Sequence, residues 1–178
     1  MTAAEAVSRT ASSFHVTFDD AFRSVARALP LLERLGVPAT VFACSGYADD
    51  GRPLDVPELA DDLRHHPGSL ATMGWGALRN LAERGLEIAS HTVSHPHLPR
   101  LDDAGLRLEL EESKARIEDE LGRPCRFLAY PFGDDDARVH GAAEAAGYEA
   151  AFALPGPGDR VDRFAVPRVG MYRGTGPV

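Results

Sequence analysis

Short apolar runs alternate with helix-periodic segments from Phe14 to Met171, and this alternation narrows the fold more than any other feature of the chain. Phe14, Val16 and Phe18 alternate with His15 and Thr17, the period of a strand with one buried face, and the run ends on Asp19 and Asp20. "PATVFAC" (38–44), "LEIAS" (86–90), "RFLAYP" (126–131), "YEAAFAL" (148–154) and "FAVPRVGM" (164–171) read as further strands. Between the first two, Phe22, Val25, Ala26, Leu29, Leu32 and Leu35 recur at helical spacing, with a kink expected at Pro30 and a stop at Gly36. "WGALRNLAERG" predicts a helix closed by Gly85, and "DDARVHGAAEAAG" predicts another. The clearest helix is "LDDAGLRLELEESKARIEDELG", with Asp102 as its N-cap and Gly122 as its end. Residues 45–73, with scattered Gly, Pro and Asp, read as a surface insertion carrying one short helix around 57–65.

Strands that alternate with helices must cross over and return parallel. The chain is therefore expected to be α/β, a mainly parallel sheet or barrel of about six or seven strands, with its site at the strands' C-terminal ends. Residues 1–13, small and polar, are expected to form a flexible tail, and 14–178 a single domain, a size that can bury a substantial core. The net charge of −8 argues against broad contact with a phosphate backbone, so no nucleic-acid partner is expected, while a neutral or cationic glycan stays open. Neither an amphipathic anchor nor a long apolar run suggests a membrane. As given, the chain reads as cytoplasmic, and a secreted chain trimmed of its signal peptide would read the same. Cys44 and Cys125 form no CxxC pair and are expected as buried free thiols.

Three post-strand stretches carry the residues for chemistry. Asp19 and Asp20 place two carboxylates side by side, which repel unless a metal, an arginine or a shared proton relieves them. "HTVSHPHL" holds His91, His95 and His97, three of the seven histidines. Asp together with His–x3–His is a ligand set that suits zinc or a similar divalent ion. The third stretch is "YPFGDDD". There Tyr130, Pro131, Phe132 and Gly133 would set an aromatic wall and a flexible backbone beside the same opening, or else form only a tight connection ahead of the helix charges Asp134 to Asp136.

The order "TFDDAF", "SHTVSHP", "YPFG", "VPRVGM" resembles the polysaccharide deacetylase family, the carbohydrate esterases of family 4, over nearly the whole chain. "LPLLERLGVPATVFA", "LAERGLEIASHTVSHPHL" and "ELEESKARIEDELGRP" fit the same resemblance. It implies an irregular (β/α) barrel of the polysaccharide deacetylase type and a metal-dependent hydrolase that removes acetyl groups from an N-acetylated sugar or glycan. By the same resemblance Asp19 would be the general base, and Asp20, His91 and His95 would hold a divalent ion, Zn²⁺ first, with Co²⁺, Ni²⁺ or Fe²⁺ as alternatives. A backbone N–H near Tyr130 would be a second donor to the developing oxyanion.

Two departures from the family pattern bear on these expectations. Many relatives pair the base with an arginine two residues before the proline of the third motif, where this chain has Ala129. Arg168 is the candidate to replace it, or else a solvent-facing strand residue, and Arg126 is a weaker candidate. Many relatives also carry a late histidine that protonates the leaving amine, and no histidine follows His140 here. A chain cut short at its C-terminus, another proton donor such as Asp19 itself or His97, and lost activity are the three explanations. O-deacetylation of an acetylated xylan-like glycan, which depends less on a strong acid, and a non-catalytic metal-containing glycan-binding domain are the rival readings. His15 is expected to be structural, His65 and His66 solvated, and Trp75 packed.

Overall fold

A computed structural model describes residues 14–155 and 162–171. The expected tail at 1–13 and the residues after Met171 lie outside the described residues. Six strands form one sheet in sequential order: β1 (Val16–Phe18), β2 (Ala39–Ala43), β3 (Glu87–Ser90), β4 (Phe127–Ala129), β5 (Ala150–Ala153) and β6 (Val166–Pro167). Every neighbouring pair is parallel, with Val16 opposite Ala39, Thr40 opposite Glu87 and Ser90 opposite Leu128 among the registers. This is the expected α/β fold, a half-barrel of curled parallel sheet with helices outside it.

The connecting helices are α1 (Leu29–Leu35), α2 (Ala60–His65), α3 (Trp75–Glu83), α4 (Asp103–Leu121) and α5 (Ala137–Ala145). Their ends follow the local chemistry. Asp102 accepts the Gly105 N–H at the start of α4, and Asp136 accepts the Val139 N–H at the start of α5. Gly36 and Gly122 close α1 and α4 in the left-handed conformation that glycine adopts without a Cβ clash.

Strands β2, β4 and β5 are buried along their whole length, which explains why they read as unbroken apolar runs rather than as alternating ones. Their two faces serve different cores. Val41, Ile88, Leu128 and Ala151 meet Leu78, Leu106, Leu110, Ile117 and Val139 of the helices. Phe42, Ala89, Phe127, Ala129, Ala150 and Phe152 form a second cluster that includes no helix residue, so it fills the concave side of the sheet. Phe152 is its hub, with ring centroids 5.5 Å from Phe42 and 6.1 Å from Phe127.

Four expectations are corrected. Phe14 does not join the first strand's buried face and is 72% exposed. The segment 22–35 is not one helix kinked at Pro30: a 3₁₀ turn over Arg23–Arg27 comes first, and Pro30 stands at the start of α1, where its missing N–H costs nothing. The sixth strand is only two residues long. Residues 45–73 do include the short helix, but they are not a surface insertion, because Tyr47, Ala48, Leu54, Val56, Leu70, Thr72 and Met73 are all buried. Long-range bonds fold this segment back onto the loop after β1: Met73 N–H donates to Ala21 O, and the Arg23 guanidinium donates to Thr72 O and Gly51 O.

Other expectations hold. Cys44 and Cys125 are buried free thiols, Trp75 is packed with its indole N–H on Asp49, and His65 and His66 are exposed. No described helix is long and apolar enough to cross a membrane. The concave core sets a first expectation. Phe152→Ala should lower unfolding free energy by about 3–5 kcal/mol in a denaturant titration, whereas Leu108→Ala, at a side chain 49% exposed on α4, should stay within about 0.5 kcal/mol.

Candidate metal centre

Because all six strands run the same way, the residues that follow them emerge at one edge. Asp19 and Asp20 follow β1, His91 follows β3, Tyr130 follows β4 and Arg168 follows β6. Asp20 Oδ1 lies 3.2 Å from His95 Nε2 and 3.5 Å from His91 Nε2. Donor atoms bound to one tetrahedral ion at 2.0–2.1 Å would stand about 3.3–3.4 Å apart, so these separations fit such a set. Asp20 Oδ1 is buried with no hydrogen-bond partner among the described residues, and so is His95 Nδ1. A buried carboxylate oxygen in that position calls for a cation. These three are also the one group of His, Cys, Asp and Glu among the described residues whose ligand atoms converge closely enough to hold a metal ion.

His91 is oriented by a backbone carbonyl at the end of β4. The His91 Nδ1 lies 2.8 Å from the Ala129 carbonyl, which can only accept, so Nδ1 carries the proton and Nε2 presents its lone pair to Asp20. Burial pushes the His91 imidazole below its ordinary range, against the opposing pull of Asp19 and Asp20, and favours the neutral form that binds metal. Cys44, whose thiol donates to the His91 carbonyl, is no rival ligand: burial, then Asp20, Asp19 and Glu109, push it well up.

Asp19 has a different partner. Arg168 grips it with both arms, Nη1 to Oδ1 at 2.6 Å and Nη2 to Oδ2 at 2.9 Å, while Nη1 also reaches Thr17 Oγ1. The guanidinium carbon sits 5.4 Å from the centre of the Phe42 ring, at the top of the concave core. Burial alone would push the Asp19 carboxyl up; His91, then Arg168, then His95 outweigh it and hold the carboxyl below its usual value. Of the two readings open for Arg168, the structure takes the pairing. Arg126 instead pairs with Glu87 at 3.0 Å.

The loops that present these groups are held in costly conformations. Asp20, Ala21, Thr92, His95 and Phe132 all have positive φ, and they are the only non-glycine residues that do among those described. The loop that carries Thr92 and His95 is supported by the neighbouring loop: Ser45 N–H donates to Thr92 O and Gly46 N–H to Val93 O. Glycine is required at 46, since a Cβ there would lie 2.9 Å from Val93 O.

The polysaccharide deacetylase family model matches residues 6–151. The chain belongs to the polysaccharide deacetylase family. A Bacillus subtilis (strain 168) protein, YxkH, which carries the name of a polysaccharide deacetylase, is 25% identical over 135 residues, covering 75% of this chain and 42% of that protein. The Streptococcus pyogenes deacetylase PplD, solved with acetate, superimposes with a TM-score of 0.68 at 22% identity, covering 84% of this chain and 61% of that one. A de-N-acetylase from Aggregatibacter actinomycetemcomitans gives 0.69 at 19% identity, over 91% and 73% of the two chains. This family member thus spans less than two thirds of YxkH and of PplD, and its likeness to the solved structures is one of fold.

The third motif of this deacetylase-family chain is built differently from expectation. Tyr130 is no wall of the opening: its ring is fully buried, its hydroxyl donates to Phe164 O at 2.8 Å, and burial with nearby Asp135 and Asp162 raises its pKa. Its N–H donates to Phe152 O and is not free for an oxyanion, and the Gly133 N–H is spent on Tyr130 O. Pro131 is buried, and Gly133 leaves room for Leu154, whose Cγ a Cβ would approach to 2.6 Å. Phe132 alone reaches the centre. It meets His95 edge-on at 4.5 Å and stacks on His97 at 4.1 Å.

His97 in turn lies within hydrogen-bond distance of Asp134 Oδ2 (2.8 Å) and Glu58 Oε1 (3.1 Å), tying the 45–73 segment to the loop after β4. Glu58, and the buried Glu109 of α4, are members of the site's surroundings that the motifs did not disclose. The ligand geometry sets a second expectation. Calorimetric titration of chelator-treated protein with Zn²⁺ should saturate at one equivalent, and Asp20→Ala and His91→Ala should each abolish that binding.

Proposed function

We propose that this chain is a metal-dependent hydrolase that removes acetyl groups from an N-acetylated sugar or glycan, with residues 14–178 forming its catalytic domain. The observation that carries the reading is the division of labour between two adjacent acids, Asp20 turned to His91 and His95, Asp19 gripped by Arg168. A pure binding domain gains nothing from that second arrangement.

Asp20, His91 and His95 would hold the divalent ion. Bound there, such an ion supplies acidity to a water molecule and polarises an acyl carbonyl. Asp19 accepts the water's proton. Each of its oxygens spends one lone pair on Arg168 and keeps another, so the ion pair orients the base without blocking it. Once protonated, Asp19 is also the group placed to return the proton to the departing nitrogen. Phe132, one face of its ring covered by His97, steadies His95 and borders the opening.

The test is acetate release by the purified chain from N-acetylglucosamine oligomers and from acetylated xylan, with and without chelator. Release from the amide substrates that stops on chelation is the expected result; release from the xylan alone would move the assignment to an esterase. Asp19→Asn should keep the metal and lose about 10²–10⁴-fold in turnover. Undiminished turnover in that variant would remove Asp19 from the role of base.

A further inference from the structure

The loop between the two histidine ligands is anchored by a residue of the long helix. Glu109 sits on the inner face of α4, 8% exposed, beside Leu106, Leu110 and Ser113. Its Oε2 accepts the N–H groups of Val93 (2.8 Å) and Ser94 (2.9 Å), and its Oε1 accepts the Ser94 hydroxyl. Three donors converging on one carboxylate are the surroundings of an ionised acid. The residues it holds are the two at the centre of the His91–His95 loop, whose flanking Thr92 and His95 both have positive φ, +70° and +62°. Its three bonds hold the loop from the helix side, as Ser45 and Gly46 hold it from the other, against the cost of two left-handed residues, about 1–3 kcal/mol each.

Charge points the same way. Arg168 pairs with Asp19, whereas no described lysine or arginine forms an ion pair with Asp20 or Glu109. A divalent cation held by Asp20, His91 and His95 would bring positive charge to the loop that Glu109 anchors.

We infer that Glu109 is a positioning residue for the metal centre: it fixes the loop that presents His95 and supplies the second negative charge that a divalent ion neutralises. This rests on the metal-hydrolase reading above. The sign of the effect follows from both parts, since loosening the loop and removing the charge each weaken cation binding.

The experiment compares Zn²⁺ affinity, by chelator competition, in the wild-type chain, Glu109→Gln, Ser94→Ala and Glu111→Gln. The last removes the same charge from an exposed position of the same helix. Glu109→Gln should bind Zn²⁺ about ten- to a hundred-fold more weakly, with wild-type circular dichroism, and its Co²⁺ form should show an altered d–d spectrum. Ser94→Ala, which removes one bond of three and leaves the helix untouched, should weaken binding in the same direction and carries the test if Glu109→Gln does not fold. Glu111→Gln should match the wild type. Affinity and Co²⁺ spectrum in Glu109→Gln and Ser94→Ala equal to those of Glu111→Gln would overturn the inference while leaving the metal reading intact. A wild-type chain that takes up neither ion would overturn that reading and this inference with it.

Discussion

The bidentate pair between Arg168 and Asp19 joins the two ends of an otherwise open sheet. Among the described residues β1 and β6 have no strand beyond them, and 149 positions of sequence separate the two partners. The guanidinium crosses the seam, bonds Thr17 within β1 and Asp19 beyond it, and rests on Phe42 of the concave core. Such a pair is weak evidence for stability, because desolvating both charges costs about what their attraction returns. Its value is geometric. A planar fork gripping a planar carboxylate fixes the direction of both, which a single-point contact from lysine would not do.

Local strain is concentrated at the same edge. Left-handed conformations at Asp20, Ala21, Thr92, His95 and Phe132 coincide with the three post-strand turns that present the site. They persist because the surroundings over-determine them: the loop after β2 bonds the loop after β3, and Thr92 Oγ1 accepts the His95 N–H. The well-packed sheet beneath supplies the rigidity, and the loops use it to aim side chains. Residues 45–73 belong to this scheme, since Tyr47, Leu54 and Val56 form a buried cluster with Cys44 that packs against Phe22 of the loop after β1 and Phe132 of the loop after β4.

Most of the architecture was legible because its signals are local. Caps at Asp102, Gly36 and Gly122, and unbroken apolar runs in β2, β4 and β5, depend on neighbours within a few residues. Parallel order then placed Asp19, Asp20, His91 and Arg168 at one edge without any coordinates. What escaped reading depends on long-range contacts. The 45–73 segment has the composition of a surface loop and is buried only because Arg23, Ala21 and Phe132 meet it from elsewhere. Tyr130 alternates with its neighbours as any strand residue does, and sequence did not say that its side chain would turn to Phe164. Glu109 stands in "ELEESK", which looks solvated. Its position on the stripe of Leu106, Leu110, Ser113 and Ile117 was the available sign that this one glutamate points inward.

Two consecutive aspartates can hold different offices only if the backbone separates them. In an extended strand their side chains would point to opposite faces, one into the concave core and one toward the helices, and neither would meet the other's partner. Here β1 stops at Phe18, and Asp20 turns with φ of +63°, so both carboxylates remain at the open edge but face different counter-groups. Asp19 receives the fixed positive charge of Arg168. Asp20 faces the imidazoles of His91 and His95 and keeps a buried oxygen that no described donor satisfies. The same chemical group, one residue apart, is thereby paired with a guanidinium in one case and turned to two imidazoles in the other, and the left-handed backbone at Asp20 is what separates them.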